Sequence, residues 1–187
     1  MARIARAALA VGASVAALVG GTTTAHARSA AEPAEGVVVH LEAGESNRCL
    51  SVGGDSTATN GAPAYLDFCT TAWKGPVWRL VATEAPTRES SFELRSMPGG
   101  KCLEVADGSD QAGAAIQLGE CSGAKRTRWQ IDLVDPVRKV YQVRALHAAE
   151  RCLDVPYGNH TEGVRLQQYP CNQTTAQLWR IKPVTAS

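Results

Sequence analysis

Asp154, Gln167, Tyr169 and Asn172 are the side chains in this sequence best suited by type and spacing to do chemistry. Asp154 stands two residues after Cys152, Tyr169 two residues before Cys171, and Asn172 directly after Cys171. Gln167 lies two residues before Tyr169, so on a β-strand the two share a face. A carboxylate accepts charge-assisted hydrogen bonds that are roughly twice as strong as neutral ones. A tyrosine ring offers a flat apolar surface with a polar edge. Together with two carboxamides, this set suits a neutral polyhydroxylated ring: the C–H face on the aromatic, the hydroxyls on acid and amides.

Catalysis is not expected of the same residues. Glycoside hydrolysis needs two carboxylates ~5–10 Å apart, one with a raised pKa. Glu162 is the acid nearest to Asp154 in that loop, and the intervening segment is too polar to desolvate it. The chain has no Gly-x-Ser-x-Gly elbow, no His-Glu-x-x-His and no phosphate loop. It has no Cys-x-x-Cys pair, and its four histidines are scattered, which argues against zinc. We expect no catalytic residue, no metal and no cofactor.

The elements that position these residues are legible through a repeat. Arg151-Cys152-Leu153-Asp154-Val155 has counterparts in Lys101-Cys102-Leu103-Glu104-Val105 and Arg48-Cys49-Leu50-Ser51-Val52. Each is followed by a second cysteine (Cys171, Cys121, Cys69) and then a tryptophan (Trp179, Trp129, Trp78). Gly61, Gly113 and Gly163 each precede the second cysteine of their unit by eight residues, where a backbone turn that a Cβ would obstruct is expected. The unit recurs every 50 to 53 residues, and such periodicity fixes an architecture before local propensity does.

Within each unit, short alternating or β-branched runs read as strands: Val37 to Leu41, Phe92 to Arg95 and Tyr141 to Arg144 open the units. The Cys-Leu-x-Val segment, a strand before the second cysteine, and a strand carrying the tryptophan complete four per unit, about twelve in all. No stretch after Gly36 has sustained helical periodicity. The expectation is all-β, one domain over residues 36–187, with three pseudo-equivalent lobes at about 36–85, 86–136 and 137–187 and one core tryptophan in each.

Residues 1–27 read as a secretory signal peptide: Arg3 and Arg6, then a 14-residue apolar run from Ala7 to Gly20, then Ala25-His26-Ala27. The run is shorter than the ~20 residues a spanning helix needs. Residues 28–35 are small, polar and proline-bearing, a loose leader. The expected product is secreted and extracellular. Its remaining 17 basic and 18 acidic side chains are interspersed, which argues against nucleic-acid and membrane partners. All six cysteines lie in this part, and an oxidising compartment makes disulfides the default. Pairing is open from sequence alone. If each unit folds alike, Cys49–Cys69, Cys102–Cys121 and Cys152–Cys171 treat the three equivalently.

Cys-Leu-Asp-Val, the loop to glycine, the strand ending before cysteine, and Gln177-Leu178-Trp179 resemble the ricin B-type lectin family over roughly Val37 to Pro183. The resemblance implies a β-trefoil that binds carbohydrate, galactose-type or xylan-type, at shallow sites, one per lobe. It implies that Asp154 accepts hydroxyl bonds, that Tyr169 stacks on the ring and that Gln177 buttresses Asp154, with Gln167 and Asn172 as further hydroxyl partners. The chain departs from the family pattern at Ala176, where many members carry a sugar-bonded Asn. The second lobe, with Glu104, Gly119 and Thr127, and the first, with Ser51, Asp67 and Pro76, depart further, so binding is expected mainly in the third. Trp73 offers the first lobe a substitute platform, though a packed loop tryptophan is the plainer expectation. His160 falls in the loop that borders the sugar in the family, and a solvated histidine is the plainer expectation there. The rival reading is a protein-binding trefoil, such as a secreted hydrolase inhibitor, using the loops Thr70 to Gly75 or Ala106 to Gly113, with Lys74 and Lys125 as modest candidates.

Overall fold

The computed structural model describes residues 36–44, 46–83 and 90–184. The signal peptide and leader expected over 1–35 lie outside the described residues. Twelve strands follow in chain order: β1 Val37–Ala43, β2 Arg48–Ser51, β3 Tyr65–Phe68, β4 Trp78–Ala82, β5 Ser91–Ser96, β6 Cys102–Val105, β7 Ile116–Gly119, β8 Trp129–Asp135, β9 Val140–Ala145, β10 Arg151–Asp154, β11 Gln167–Pro170 and β12 Leu178–Pro183. The only helical elements among the described residues are four three-residue 3-10 turns. None of the described helices is long and apolar enough to cross a membrane.

Six strands close a barrel. β1 pairs with β4, β4 with β5, β5 with β8, β8 with β9, β9 with β12, and β12 returns to β1, all antiparallel. Closure removes the exposed edges that an open sheet would present. The other six form three hairpins, β2–β3, β6–β7 and β10–β11, each held to the barrel at its first cysteine: Cys49 opposite Glu42, Cys102 opposite Arg95, Cys152 opposite Arg144. Backbone bonds between hairpins, such as Ala64 N–H to Ile116 O, Ile116 N–H to Leu166 O and Leu166 N–H to Ala64 O, close a three-sided cap. This is the β-trefoil, with the four-stranded lobes the repeat implies.

The repeated residues explain the threefold form. Trp78, Trp129 and Trp179 are fully buried, and each indole N–H donates to the backbone carbonyl after the first cysteine of its lobe: Leu50 at 2.8 Å, Leu103 at 3.0 Å and Leu153 at 3.2 Å. Leu50, Leu66, Leu103, Ile116, Leu118, Leu153 and Leu166 pack around them. The cysteines pair within lobes, Cys49–Cys69, Cys102–Cys121 and Cys152–Cys171, leaving no free thiol. Each closes a loop of 19 or 20 residues, worth on the order of 3 kcal/mol in the chain-entropy account.

Gly61, Gly113 and Gly163 adopt φ of 80°, 84° and 79°. The reason is the left-handed backbone and not crowding, since an added Cβ would meet nothing within 4 Å at Gly61 and Gly163. The expected obstruction is thus replaced by a conformational requirement.

Candidate functional site

Asp154 ends β10, directly opposite Gln167 of β11, and Cys152 stands opposite Tyr169 in the same register. Directly opposed residues project from the same face, so the register alone gathers acid, amide and ring. Gln167 Nε2 donates to Asp154 Oδ2 at 2.8 Å. Gln177, fully buried in the turn Thr175–Gln177, donates from Nε2 to Asp154 Oδ1 at 3.0 Å and to Pro170 O at 2.9 Å. Its Oε1 accepts from Asn172 N–H at 2.8 Å. Gln177 thereby ties β10, β11 and the loop after Cys171 into one unit.

Asp154 is only 4% exposed. Burial pushes its carboxyl above the ordinary value of 3.8, while the bonds from Gln167 and Gln177 pull the other way. Beside it opens a cleft of about 460 Å³, whose lining includes Asp154, Gln167, Tyr169, Asn172, Thr174 and Ala176. Tyr169 is 44% exposed, a ring face available to a ligand. Asn172 Oδ1 accepts from Thr174 N–H and Oγ1–H at 3.1 and 2.8 Å, so what it can offer a ligand is its amide nitrogen. The Ala176 carbonyl accepts from Val155 N–H at 2.9 Å, which keeps that turn in place without the family's Asn side chain.

Sequence reasoning missed Tyr157, which lines the cleft with a fully exposed side chain. Its signal was a lone aromatic in a Pro-Tyr-Gly turn within a polar loop, three residues past Asp154. Sequence reasoning instead placed His160 near a bound sugar or in solvent. His160 is outside the cleft lining and half-buried, with Nε2 against Gly44, where an added Cβ would sit 3.7 Å away. His40 and His147 bond backbone carbonyls: Nδ1 to Pro76 O at 2.8 Å and Nε2 to Ser109 O at 2.9 Å.

The other lobes fill the same position with their own side chains. In the second, Glu104 accepts from Gln117 Nε2 at 3.0 Å and from Arg126 Nε at 2.9 Å. Its extra methylene carries the carboxylate over Gly119, where an added Cβ would lie 2.2 Å from Glu104 Oε2. The glycine in the platform position is therefore the space that Glu104 occupies. Thr127, buried at the position of Gln177, bonds Ala124 O at 2.9 Å instead of the acid. Gly119→Ala is expected to displace Glu104 from Gln117 and Arg126 and cost about 1 kcal/mol net of the usual Gly→Ala gain. Adding Glu104→Ala should recover most of that loss in urea unfolding.

In the first lobe, buried Ser51 faces Tyr65 across β2–β3, and its hydroxyl donates to Val52 O at 3.4 Å. Burial and the acids Asp67 and Glu162 raise the Tyr65 hydroxyl above its ordinary value. The half-buried Trp73 ring lies across Gly75, whose Cβ, if present, would overlap it at 1.7 Å. Glu93, Cys102 and Cys121 bring possible metal-ligand atoms together, but both sulfurs are spent in a disulfide.

The closed barrel and the three hairpins that cap it define a β-trefoil. The sequence model of the ricin-type beta-trefoil lectin domain matches residues 37–140 and 90–186, and the chain belongs to that family. Its fold is similar to the designed threefold-symmetric protein ThreeFoil, with 25% identity and a TM-score of 0.69 over 79% of this chain and 99% of that one. It is also similar to the Rhizoctonia solani agglutinin, with 16% identity and a TM-score of 0.67 over 80% and 96%. An exo-beta-1,3-galactanase from Clostridium thermocellum contains a similar fold, with 20% identity and a TM-score of 0.69 over 79% of this chain but 30% of the enzyme. Comparison with curated proteins finds no match. Three disulfides suit an oxidising environment.

Proposed function

We propose that the protein is a secreted carbohydrate-binding protein that holds a neutral sugar ring in the third lobe, hydroxyls on Asp154, Gln167 and Asn172, apolar face on Tyr169. The observation that carries this reading is the buried Asp154 carboxylate, fixed by two amides and opening beside an exposed ring. The cleft lining contains one carboxylate and no Lys, Arg or His. That composition favours a neutral sugar over an acidic one, and binding over a two-carboxylate hydrolysis. An agglutinin among the similar folds supports the same direction. One shallow site predicts weak monosaccharide affinity, on the order of 1 mM, so avidity would come from a multivalent glycan surface.

The test is a glycan array with the protein and an Asp154→Ala, Tyr169→Ala double variant, read at neutral and acidic pH. Binding by the protein that the variant loses is expected. Binding that survives in the variant would move the site. No binding by either, with stoichiometric titration of a hydrolase, would favour the inhibitor reading.

Acid should weaken binding, because hydroxyl donors need the ionised acceptor: affinity rises with pH through the raised Asp154 pKa, in the window above 3.8. Fold stability carries the opposite sign. A carboxyl whose folded pKa is raised contributes stability that is fully present below its unfolded value and is lost as pH rises through the folded value. Affinity and Asp154-linked stability should therefore move in opposite directions over the same window.

A further inference from the structure

The geometry points to Tyr157 as a second stacking platform, which makes the third-lobe cleft a site for at least two consecutive sugar rings and not for a single terminal one. This rests on the carbohydrate reading of that cleft. Tyr157 and Tyr169 line the same cleft as Asp154, yet only Tyr169 belongs to the hairpin that holds the acid. Tyr157 comes from the turn Pro156–Gly158, on the loop that leaves Asp154.

Nothing in the fold accounts for a tyrosine there. Its side chain is fully exposed, and among the described residues nothing bonds its hydroxyl. Its backbone sits at φ 57°, a region that suits glycine, asparagine or aspartate and is costly for a bulky residue. The second lobe makes the same turn at Ala106–Gly108 with Asp107 at φ 56°. The left-handed turn is therefore shared by the second and third lobes, and the aromatic is specific to the third, the same lobe that keeps Asp154, Gln167 and Tyr169.

The cleft also has an open wall. Gly113, from the second lobe, lines it without a side chain, and a Cβ there would meet only Gln167 Oε1 at 3.8 Å. That loop is pinned from the third lobe: Gln168 Nε2 donates to Ser109 O at 2.6 Å and Gln111 O at 2.8 Å, and Arg151 Nε to Asp110 O at 2.9 Å. A glycan chain can leave the acid-bound position past a fixed, low wall while a neighbouring ring rests on Tyr157. A cleft of about 460 Å³ lies within the ~300–1,000 Å³ range of small-molecule sites.

The experiment is calorimetric titration of the full protein with xylose, xylobiose and xylotriose, and with galactose and β-1,4-galactobiose. Tyr157→Asn is the comparison variant, because asparagine suits the left-handed backbone and folding is not in question. Asp154→Ala controls for the primary position. The expected result is a roughly two- to tenfold affinity gain from one ring to two in the protein. Tyr157→Asn should abolish that gain and leave monosaccharide affinity unchanged. Tyr157→Trp should keep the gain and report it as a blue-shifted tryptophan emission on oligosaccharide binding. A monosaccharide bound through Asp154 with no gain on lengthening overturns the inference and leaves the function standing. So does a gain that Tyr157→Asn retains, or an equal loss for one ring and two. No binding of any member of either series overturns both.

Discussion

Asp154→Asn is expected to abolish glycan binding at millimolar concentrations although it changes no heavy-atom shape. Both carboxylate oxygens are acceptors for amide N–H groups, Oδ1 from Gln177 and Oδ2 from Gln167. An ionised carboxylate only accepts, whereas a carboxamide must present one NH₂ group. In Asp154→Asn one of the two glutamines would face a donor with its own donor. Turning Gln177 does not relieve the conflict, because its Oε1 holds Asn172 N–H and its Nε2 holds Pro170 O. Gln167 would have to turn its amide so that Oε1 accepts from the new NH₂ group, and the cleft then loses the charged acceptor and presents a reordered amide beside it. The stability cost should be about 1 kcal/mol, because two charge-assisted bonds become neutral ones while every buried group keeps a partner. Calorimetry with the best array ligand and urea unfolding would read the two effects separately. A variant that bound normally would show that the carboxylate's charge and acceptors are not what the ligand uses.

The fold was legible because its signals are local and repeated. A cysteine, a glycine and a tryptophan at fixed offsets set the barrel strands and hairpins in every lobe, and the strand alternation that places Gln167 and Tyr169 on one face is the register observed. What stayed hidden depends on partners far along the chain or on conformation without a pattern. Gln168 takes the core position of Leu66 and Leu118, and it is tolerated because carbonyls 57 and 59 residues away accept its amide. His40 and His147 are likewise explained by carbonyls 36 and 38 residues distant. The ion pair of Glu104 with Arg126, 22 residues further on, was likewise not legible from residue type in the second lobe. Tyr157 belongs to no period, and only its left-handed backbone and full exposure mark it.

Trp179→Ala should be the most damaging single substitution in the third lobe, at about 3–5 kcal/mol for a buried aromatic truncation. The indole is fully buried and does two separable things. Its area fills the core beside Leu153 and Leu166, and its N–H satisfies the Leu153 carbonyl, one residue before Asp154. Trp179→Phe keeps most of the apolar area and removes the donor, so it should cost about 1–3 kcal/mol, the range for a buried acceptor left unpaired plus a small cavity. Trp78 and Trp129 hold Leu50 and Leu103 in the same way, so their Trp→Phe variants should match it in urea midpoint. Glycan binding separates the lobes. Only Trp179→Phe loosens the strand segment that aims Asp154, so it should weaken binding, while Trp78→Phe and Trp129→Phe lower stability and leave affinity alone. Equal losses of affinity in all three would mean that the barrel as a whole, and not the Leu153 carbonyl, sets the position of the acid.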